Sequence, residues 1–330
     1  MFFVIRVYMN SVVSLTSLEM VNPVDDREQL VVPTIHEVVN RASQELFMSL
    51  LSTGVAAAFT VTPLSLPSLF AMPIVMAIFN TIIRRIPILI HSKITSLRAS
   101  GQNKEKIKEL EQKLAYSLKV IKVVCPLNFA MVDINTRGLL VHEGGHCIAA
   151  SVLYQNAKPL IKIYPAPKRG NPLWFFTGEA NWSNKEMTTL GQTLGRKNSH
   201  LIAAGAGTGC ALISIIAMLT LSHKNKQKHP ERSRYLLASA IATTVQHIFY
   251  ALSAFWQKSK NHDFRTLWEG GVHPLVSVAF LALPLLSLIW YTAANNFTFY
   301  ETKINDIKHQ TPREPSLGGS TGNKAFRSKE

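Results

Sequence analysis

The chain has 330 residues, of which 47% are hydrophobic and only 17% are charged, and its formal net charge is +15. Several windows of membrane-spanning length contain no Asp, Glu, Lys or Arg, which argues against a soluble globular protein. The Lys and Arg residues lie mostly between the apolar segments, rather than on the compact basic face that nucleic-acid binding requires. We therefore expect a lipid bilayer, and no nucleic acid, among the partners of this protein.

The N-terminal region, residues 1–45, opens with an apolar stretch that Arg6 interrupts. It has neither the basic start nor the small-residue cleavage site of a signal peptide. We interpret it as a weak anchor, or as a misassigned start that precedes a true initiator at Met20. Neither interpretation assigns it a functional role.

Two apolar segments at 46–62 and 68–83, the second closed by Arg84, predict a helical membrane hairpin over residues 46–90. Residues 91–122 change in character, because they are rich in Lys and Glu and place Ile and Leu at helical spacing. This pattern predicts a basic, amphipathic helical loop whose apolar stripe lies on the membrane or on neighbouring helices.

Residues 123–295 contain the remaining apolar segments and form the expected membrane core. The first of them is uninterrupted over 138–154, where we predict a helix with Asn135 or Thr136 as its N-cap. A start of this helix nearer residue 123 is the alternative.

The stretch 158–183 alternates apolar and polar residues and includes Pro, Gly and aromatic residues, which predicts one or two strands or a hairpin. Three charge-free segments follow at 199–221, 235–256 and 272–294, and residues 296–330 are a polar tail that we expect to be disordered. The expected fold is mainly α: a polytopic membrane helix bundle of about six spans, with a small β element after the motif helix. The positive-inside rule places both ends in the cytoplasm.

The sequence HEGGH places His142 and His146 four residues apart, with Glu143 directly after the first histidine. Side chains at this spacing lie on one face of a helix, so two imidazoles can bind one zinc ion. Glu143 can then take a proton from a zinc-bound water and return it to a leaving amine, as in HExxH metalloproteases. The structural alternative is a pair of helix histidines bonded to neighbouring helices, with Glu143 paired to a Lys or Arg.

Gly144 and Gly145 lie between the two histidines and each weakens a helix relative to alanine. They are expected either to let a substrate backbone approach the metal or to allow close helix packing. Further along, Gly205 and Gly209 predict a small-residue packing face.

The motif His142, Glu143, Gly145 and His146 within an apolar helix resembles the site-2 protease family of intramembrane zinc metalloproteases. The strand-like stretch 158–183 resembles the β-structure that follows the motif helix in that family, and 201–213 resembles its small-residue helix. The resemblance covers roughly residues 127–293. It implies Zn2+ as cofactor, a membrane-embedded or membrane-adjacent polypeptide as substrate, and a third metal ligand from a late segment.

The usual third-ligand motif of the family, Asn and Pro followed by Leu-Asp-Gly, does not occur in this chain, which would make it a divergent member. Of the five aspartates, only Asp263 lies just before the last apolar segment, so we predict Asp263 as the third ligand. The competing candidates in the same stretch or elsewhere are His262, Glu269, His273, Glu179 and His247. For His247 an interhelical hydrogen bond is the favoured interpretation.

The sequence thus predicts an integral, multi-pass zinc metalloendopeptidase, with the bacterial inner membrane as its expected location. The alternative is a non-catalytic metal-binding membrane scaffold or a transporter-like helix bundle. Glu143 separates the two, because a metal site needs the histidines but not the glutamate. The three cysteines are expected to be buried free thiols.

Overall fold

A computed structural model describes residues 32–58, 65–101, 104–164, 176–257, 259 and 262–291. The predicted anchor at the start of the chain and the predicted polar tail therefore lie mostly or wholly outside the described residues. The described part is mainly helical, with a small β element, as the sequence predicts.

The first three helices are α1 (Ile35–Ala58), α2 (Ser65–Ala99) and α3 (Lys104–Asp133). Helix α2 continues well beyond Arg84, where the sequence suggested that the apolar segment closes. The reason is that Arg84 is buried and its Nη1 donates to Glu45 Oε2 of α1 at 2.9 Å. Arg84 is thus an interhelical partner, and the helix does not end at it.

The motif helix, α4 (Leu139–Leu153), continues from α3 through one π-helical turn over Ile134–Gly138. The prediction that Asn135 or Thr136 caps the helix is therefore wrong. Both side chains donate back to carbonyl oxygens one turn earlier, Asn135 to Met131 and Thr136 to Val132. An inserted π turn is a feature often found at functional sites, since it changes which face the following residues present.

Four short strands follow: β1 (Tyr154–Gln155), β2 (Leu160–Tyr164), β3 (Thr177–Asn181) and β4 (Glu186–Met187). Strand β1 pairs with β4 and β2 pairs with β3, both antiparallel. In the second pair Ile163 lies opposite Gly178. The strand prediction for this stretch is confirmed.

The remaining helices are α5 (Thr189–Asn225), α6 (Pro230–Ser253), the short α7 (Asp263–Glu269) and α8 (Pro274–Tyr291). Helix α5 contains a kink at Gly195, whose φ of 78° suits glycine. Helix α6 is buried on most of its surface, so its polar side chains face protein rather than lipid.

Among the described residues, four helical segments are long and apolar enough to cross a membrane: Leu69–Ala99, Thr189–Asn225, Pro230–Ser253 and Pro274–Tyr291. The prediction of six spans is therefore not confirmed. Helix α1 carries Glu37, Arg41 and Glu45, and the α3–α4 run carries an Asp133–Arg137 ion pair, which makes both less apolar. Large side chains on α2 and α8 are exposed, as lipid-facing helices require: Val75, Ile82, Leu89, Phe280 and Leu286.

Helices α4 and α5 pack closely because each has a glycine at the crossing. A Cβ atom on Gly145 would overlap the backbone of Ala206 and Gly207, and one on Gly207 would overlap the His146 ring. Gly144 and Gly209, in contrast, have open space where a Cβ would lie. The close contact thus involves Gly207, which differs from the predicted face of Gly205 and Gly209.

Candidate metal centre

Three side chains meet between α4 and α7. His142 Nε2 lies 3.0 Å from Asp263 Oδ2, His146 Nε2 lies 3.3 Å from the same oxygen, and the two Nε2 atoms are 3.2 Å apart. In a tetrahedral site with bonds of about 2.0–2.1 Å, ligand atoms lie roughly 3.3–3.4 Å apart. Two imidazoles and one carboxylate are also a donor set that zinc accepts. The residues present therefore fit a zinc ion with three protein ligands.

Hydrogen bonds orient both histidine rings. His146 Nδ1 donates to the carbonyl oxygen of Ala203 at 2.7 Å, because a carbonyl oxygen can only accept. On the other ring, His142 Nδ1 lies 3.3 Å from Nε2 of His247. In each ring Nδ1 is thus occupied, and Nε2 is the atom that faces the centre.

Asp263 is the first residue of α7 and reaches the histidines although its helix lies far along the chain. Its carboxyl also accepts a hydrogen bond from the Tyr250 hydroxyl, at 3.0 Å from Oδ2. Burial alone would raise the pKa of this carboxyl, but without a metal His142 and His146 can each carry a second proton on Nε2 and donate it to Asp263, which holds that pKa below its ordinary value. Asp263 is thus favoured as a carboxylate, the form that binds a metal.

Glu143 is buried, 6% exposed, and lies on the same helix as the two histidines. Strand β3 passes directly over it, since a Cβ atom on Gly178 would lie 2.5 Å from Glu143 Oε1. The start of this strand is tied to the π turn, because the Phe176 N–H donates to Asn135 Oδ1 at 3.4 Å. The backbone of β3 is therefore held next to the predicted general base.

A cavity of about 650 Å³ opens onto this group, and its wall includes Glu143, His146 and Asp263. Most other lining side chains are polar and come from β3, the segment after it, α5, the end of α6 and the segment that leads into α7. Trp182 lies on one side with its ring stacked on that of His146, at a centroid distance of 6.5 Å. The cavity is large enough to admit a segment of polypeptide.

The other candidate ligands do not join this group of three. His262 bonds to Ser253 Oγ at 2.7 Å, Glu269 pairs with Arg265 at 2.9 Å, and His273 is exposed. Glu179 lines the cavity from β3, and His247 lies behind His142. Among the described residues, His142, His146 and Asp263 form the one group of three or more His, Cys, Asp or Glu side chains suited to a metal.

The sequence does not predict two partners of these ligands, the Tyr250 hydroxyl and the Ala203 carbonyl. A main-chain carbonyl carries no sequence signal. Tyr250 does carry one, because it lies three residues after His247 and so shares a face of α6 with it. The cysteines also differ in part from expectation: all three are free, but only Cys125 is buried, whereas Cys147 and Cys210 are half-buried.

Comparison with known proteins gives no matching family model, no matching curated protein and no matching solved structure. The resemblance to the site-2 proteases therefore stays a prediction from the sequence motif and the segments that follow it. Metal binding by these residues and general-base action by Glu143 stay predictions.

Proposed function

We propose that this protein is a membrane-embedded zinc metalloprotease of the site-2 protease type. The observation that carries the proposal is the convergence of His142 Nε2, His146 Nε2 and Asp263 Oδ2 within 3.3 Å of one another. Two of these atoms share the motif helix, and the third is a carboxylate oxygen from a helix 121 positions away, which packing alone has no reason to direct at the same point. Buried ionisable groups of this kind are typical of functional sites.

A zinc ion held there would supply an activated water and polarise the scissile peptide carbonyl. Glu143 is the residue proposed to move the proton. Its carboxylate would accept a proton from the attacking water and deliver it to the leaving amine. It is one residue from His142 on the motif helix and lines the same cavity as His146, which suits this role.

The substrate class we propose is a membrane protein or a polypeptide segment next to the membrane. Two observations support it: four helices are apolar and long enough to cross a bilayer, and the cavity at the metal group has many polar side chains in its wall beside apolar atoms. An extended polypeptide segment brings polar main-chain groups, which such a wall can hydrogen-bond and an apolar wall cannot.

The competing function is that of a metal-binding membrane scaffold without catalysis. The two proposals share the histidines and Asp263 and differ at Glu143. The test is the zinc content of the purified full-length protein in detergent, together with cleavage of labelled casein and of a single-span membrane protein. The wild type should hold one zinc per chain and cleave a polypeptide, and Glu143→Gln should keep the zinc and lose the cleavage.

His146→Ala should lose both zinc and cleavage, since it removes a ligand. A wild-type protein without stoichiometric zinc would overturn the proposal. Cleavage that survives in Glu143→Gln would remove the general-base role. Bound zinc with no Glu143-dependent cleavage would favour the scaffold.

A further inference from the structure

We infer that two side chains on one face of α6, His247 and Tyr250, position the metal ligands His142 and Asp263. Neither is itself suited to hold the ion, since each acts on a ligand through a hydrogen bond. The inference rests on the metal site of the proposed function, and it does not depend on peptide hydrolysis. Outer partners of this kind orient ligands and strengthen metal binding.

His247 fixes the ring of His142. Its Nδ1 donates to the carbonyl oxygen of Thr243 at 2.9 Å, so in the neutral ring Nε2 carries the lone pair. That lone pair accepts from His142 Nδ1 at 3.3 Å. His142 is thereby held in the tautomer whose Nε2 is available to a metal, with its ring turned toward Asp263.

This chain of two imidazoles is fully enclosed, since His247 is 2% exposed and His142 is 4% exposed. A buried imidazole without partners is costly, and His247 avoids this cost through its bonds to Thr243 and His142. A leucine would fill similar space without a polar atom. What the leucine could not provide is an acceptor for His142 Nδ1.

Tyr250 fixes Asp263 at two points. Its hydroxyl donates to Asp263 Oδ2 at 3.0 Å and accepts from the Asp263 backbone N–H at 3.3 Å. The carboxylate and the first turn of α7 are thus tied to the same oxygen atom. The Tyr250 ring is held in turn by Phe264, edge to face at a centroid distance of 5.2 Å.

The same helix face continues one turn further, where Ser253 Oγ bonds to His262 Nε2 at 2.7 Å. His262 caps the N-terminus of α7 by accepting from the Arg265 N–H. Helix α6 therefore holds both the histidine ring of α4 and the start of α7 that carries Asp263. This arrangement brings together ligands that lie 121 positions apart in the chain.

The test uses zinc affinity of the full-length protein in detergent, measured by competition with a chromophoric chelator. Tyr250→Phe removes a single oxygen atom and His247→Leu removes the acceptor. Each should weaken zinc binding by about 10- to 100-fold. His247→Gln can place an amide oxygen near the former Nε2 position and should recover most of the affinity.

Thr244→Val is the matched control, because Thr244 is buried on α6 and donates only to the Ala240 carbonyl within its own helix. It should bind zinc as the wild type does. Cobalt substitution adds a second readout, since the visible spectrum of bound Co2+ reports ligand geometry. The spectrum should change in Tyr250→Phe and His247→Leu and stay constant in Thr244→Val.

The outcomes separate this inference from the proposed function. A wild type that binds no zinc overturns the metal site itself. If the wild type binds zinc but Tyr250→Phe and His247→Leu match it in zinc affinity and in cobalt spectrum, only the positioning role is overturned. A His247→Gln variant as weak as His247→Leu would show that the acceptor is not what His247 contributes.

Discussion

His142 Nε2 lies 3.0 Å from Asp263 Oδ2, and the two residues are 121 positions apart in the sequence. One belongs to the long α3–α4 helical run and the other to the seven-residue helix α7. A helix as short as α7 gains little stability on its own, so apart from burial it needs contacts with other elements to keep Asp263 in place. The contact therefore depends on the Tyr250 and Ser253 hydrogen bonds and, as we propose, on a metal ion that joins both elements.

We expect Asp263→Ala to abolish stoichiometric zinc binding, because it removes one of three proposed ligands. The loss should exceed the roughly 10- to 100-fold that removal of an outer partner causes. The matched control is Glu269→Ala, six residues later on α7, whose side chain is exposed and pairs with Arg265. Metal analysis of both purified variants decides the matter: equal zinc content would exclude Asp263 as a ligand.

Gly207→Ala should disrupt the site from the neighbouring helix. A methyl group there would overlap the His146 ring and the His142 carbonyl oxygen, so α4 and α5 must separate or His146 must turn away. Overpacking of this kind costs about 1–3 kcal/mol. The expected results are a lower unfolding temperature and weak zinc binding.

Gly209→Ala is the comparison, since open space surrounds the position where its Cβ would lie. Alanine is the better helix former by about 1 kcal/mol, so this variant should be as stable as the wild type or slightly more stable. Thermal unfolding of the two variants side by side measures the difference. If they behave alike, the close approach at Gly207 is not what positions His146.

The parts of the site that are local in sequence are those that the sequence predicts. His142 and His146 share a helix face because four residues separate them, and a single helix is enough to bring them together. The β2–β3 pair follows from alternation and turn residues. Asp263 could be singled out only by elimination among few aspartates and by the late third ligand that the resemblance implies, neither of which is a rule of folding.

The helix boundaries and the supporting residues could not be predicted in this way. In the sequence Arg84 resembles the end of an apolar segment, and only the structure shows that Glu45 lies beside it. Likewise, Asp133 and Arg137 interrupt the apolar sequence of the continuous α3–α4 run, although they form an ion pair along it. In the sequence these polar residues interrupt apolar segments, whereas in the fold they pair with each other across or along helices. Pairing between distant segments depends on tertiary packing, which local sequence patterns do not predict.

Arg84→Met should strongly destabilise the α1–α2 packing. Arg84 is buried with Glu45, which also accepts from Asn80 and Tyr235, so the variant would leave a buried carboxylate without its cation. Breaking such a pair costs about 3–5 kcal/mol. Unfolding by graded addition of a denaturing detergent should show the loss.

The double variant Arg84→Met with Glu45→Gln should recover much of that stability, since no uncompensated charge is left buried. Arg98→Met serves as the exposed counterpart, because Arg98 and its partner Glu111 are 60% and 40% exposed. Its cost should be about 1 kcal/mol or less. A double variant no more stable than Arg84→Met would mean that the carboxylate is satisfied without the arginine.

Removal of metal should destabilise the wild type and leave the ligand variants unaffected. A ligand that binds only the folded state stabilises it by RT ln(1 + [L]/Kd), about 4 kcal/mol when free zinc is a thousandfold above Kd. A chelator should therefore lower the unfolding temperature of the wild type and have no effect on His146→Ala, which lacks a proposed ligand. Because Asp263 ties the start of α7 to α4, protection of α7 from proteolysis should fall when the metal is removed. A chelator effect of equal size in both proteins would place the stabilising metal elsewhere, since His146 lies at the centre of the proposed group.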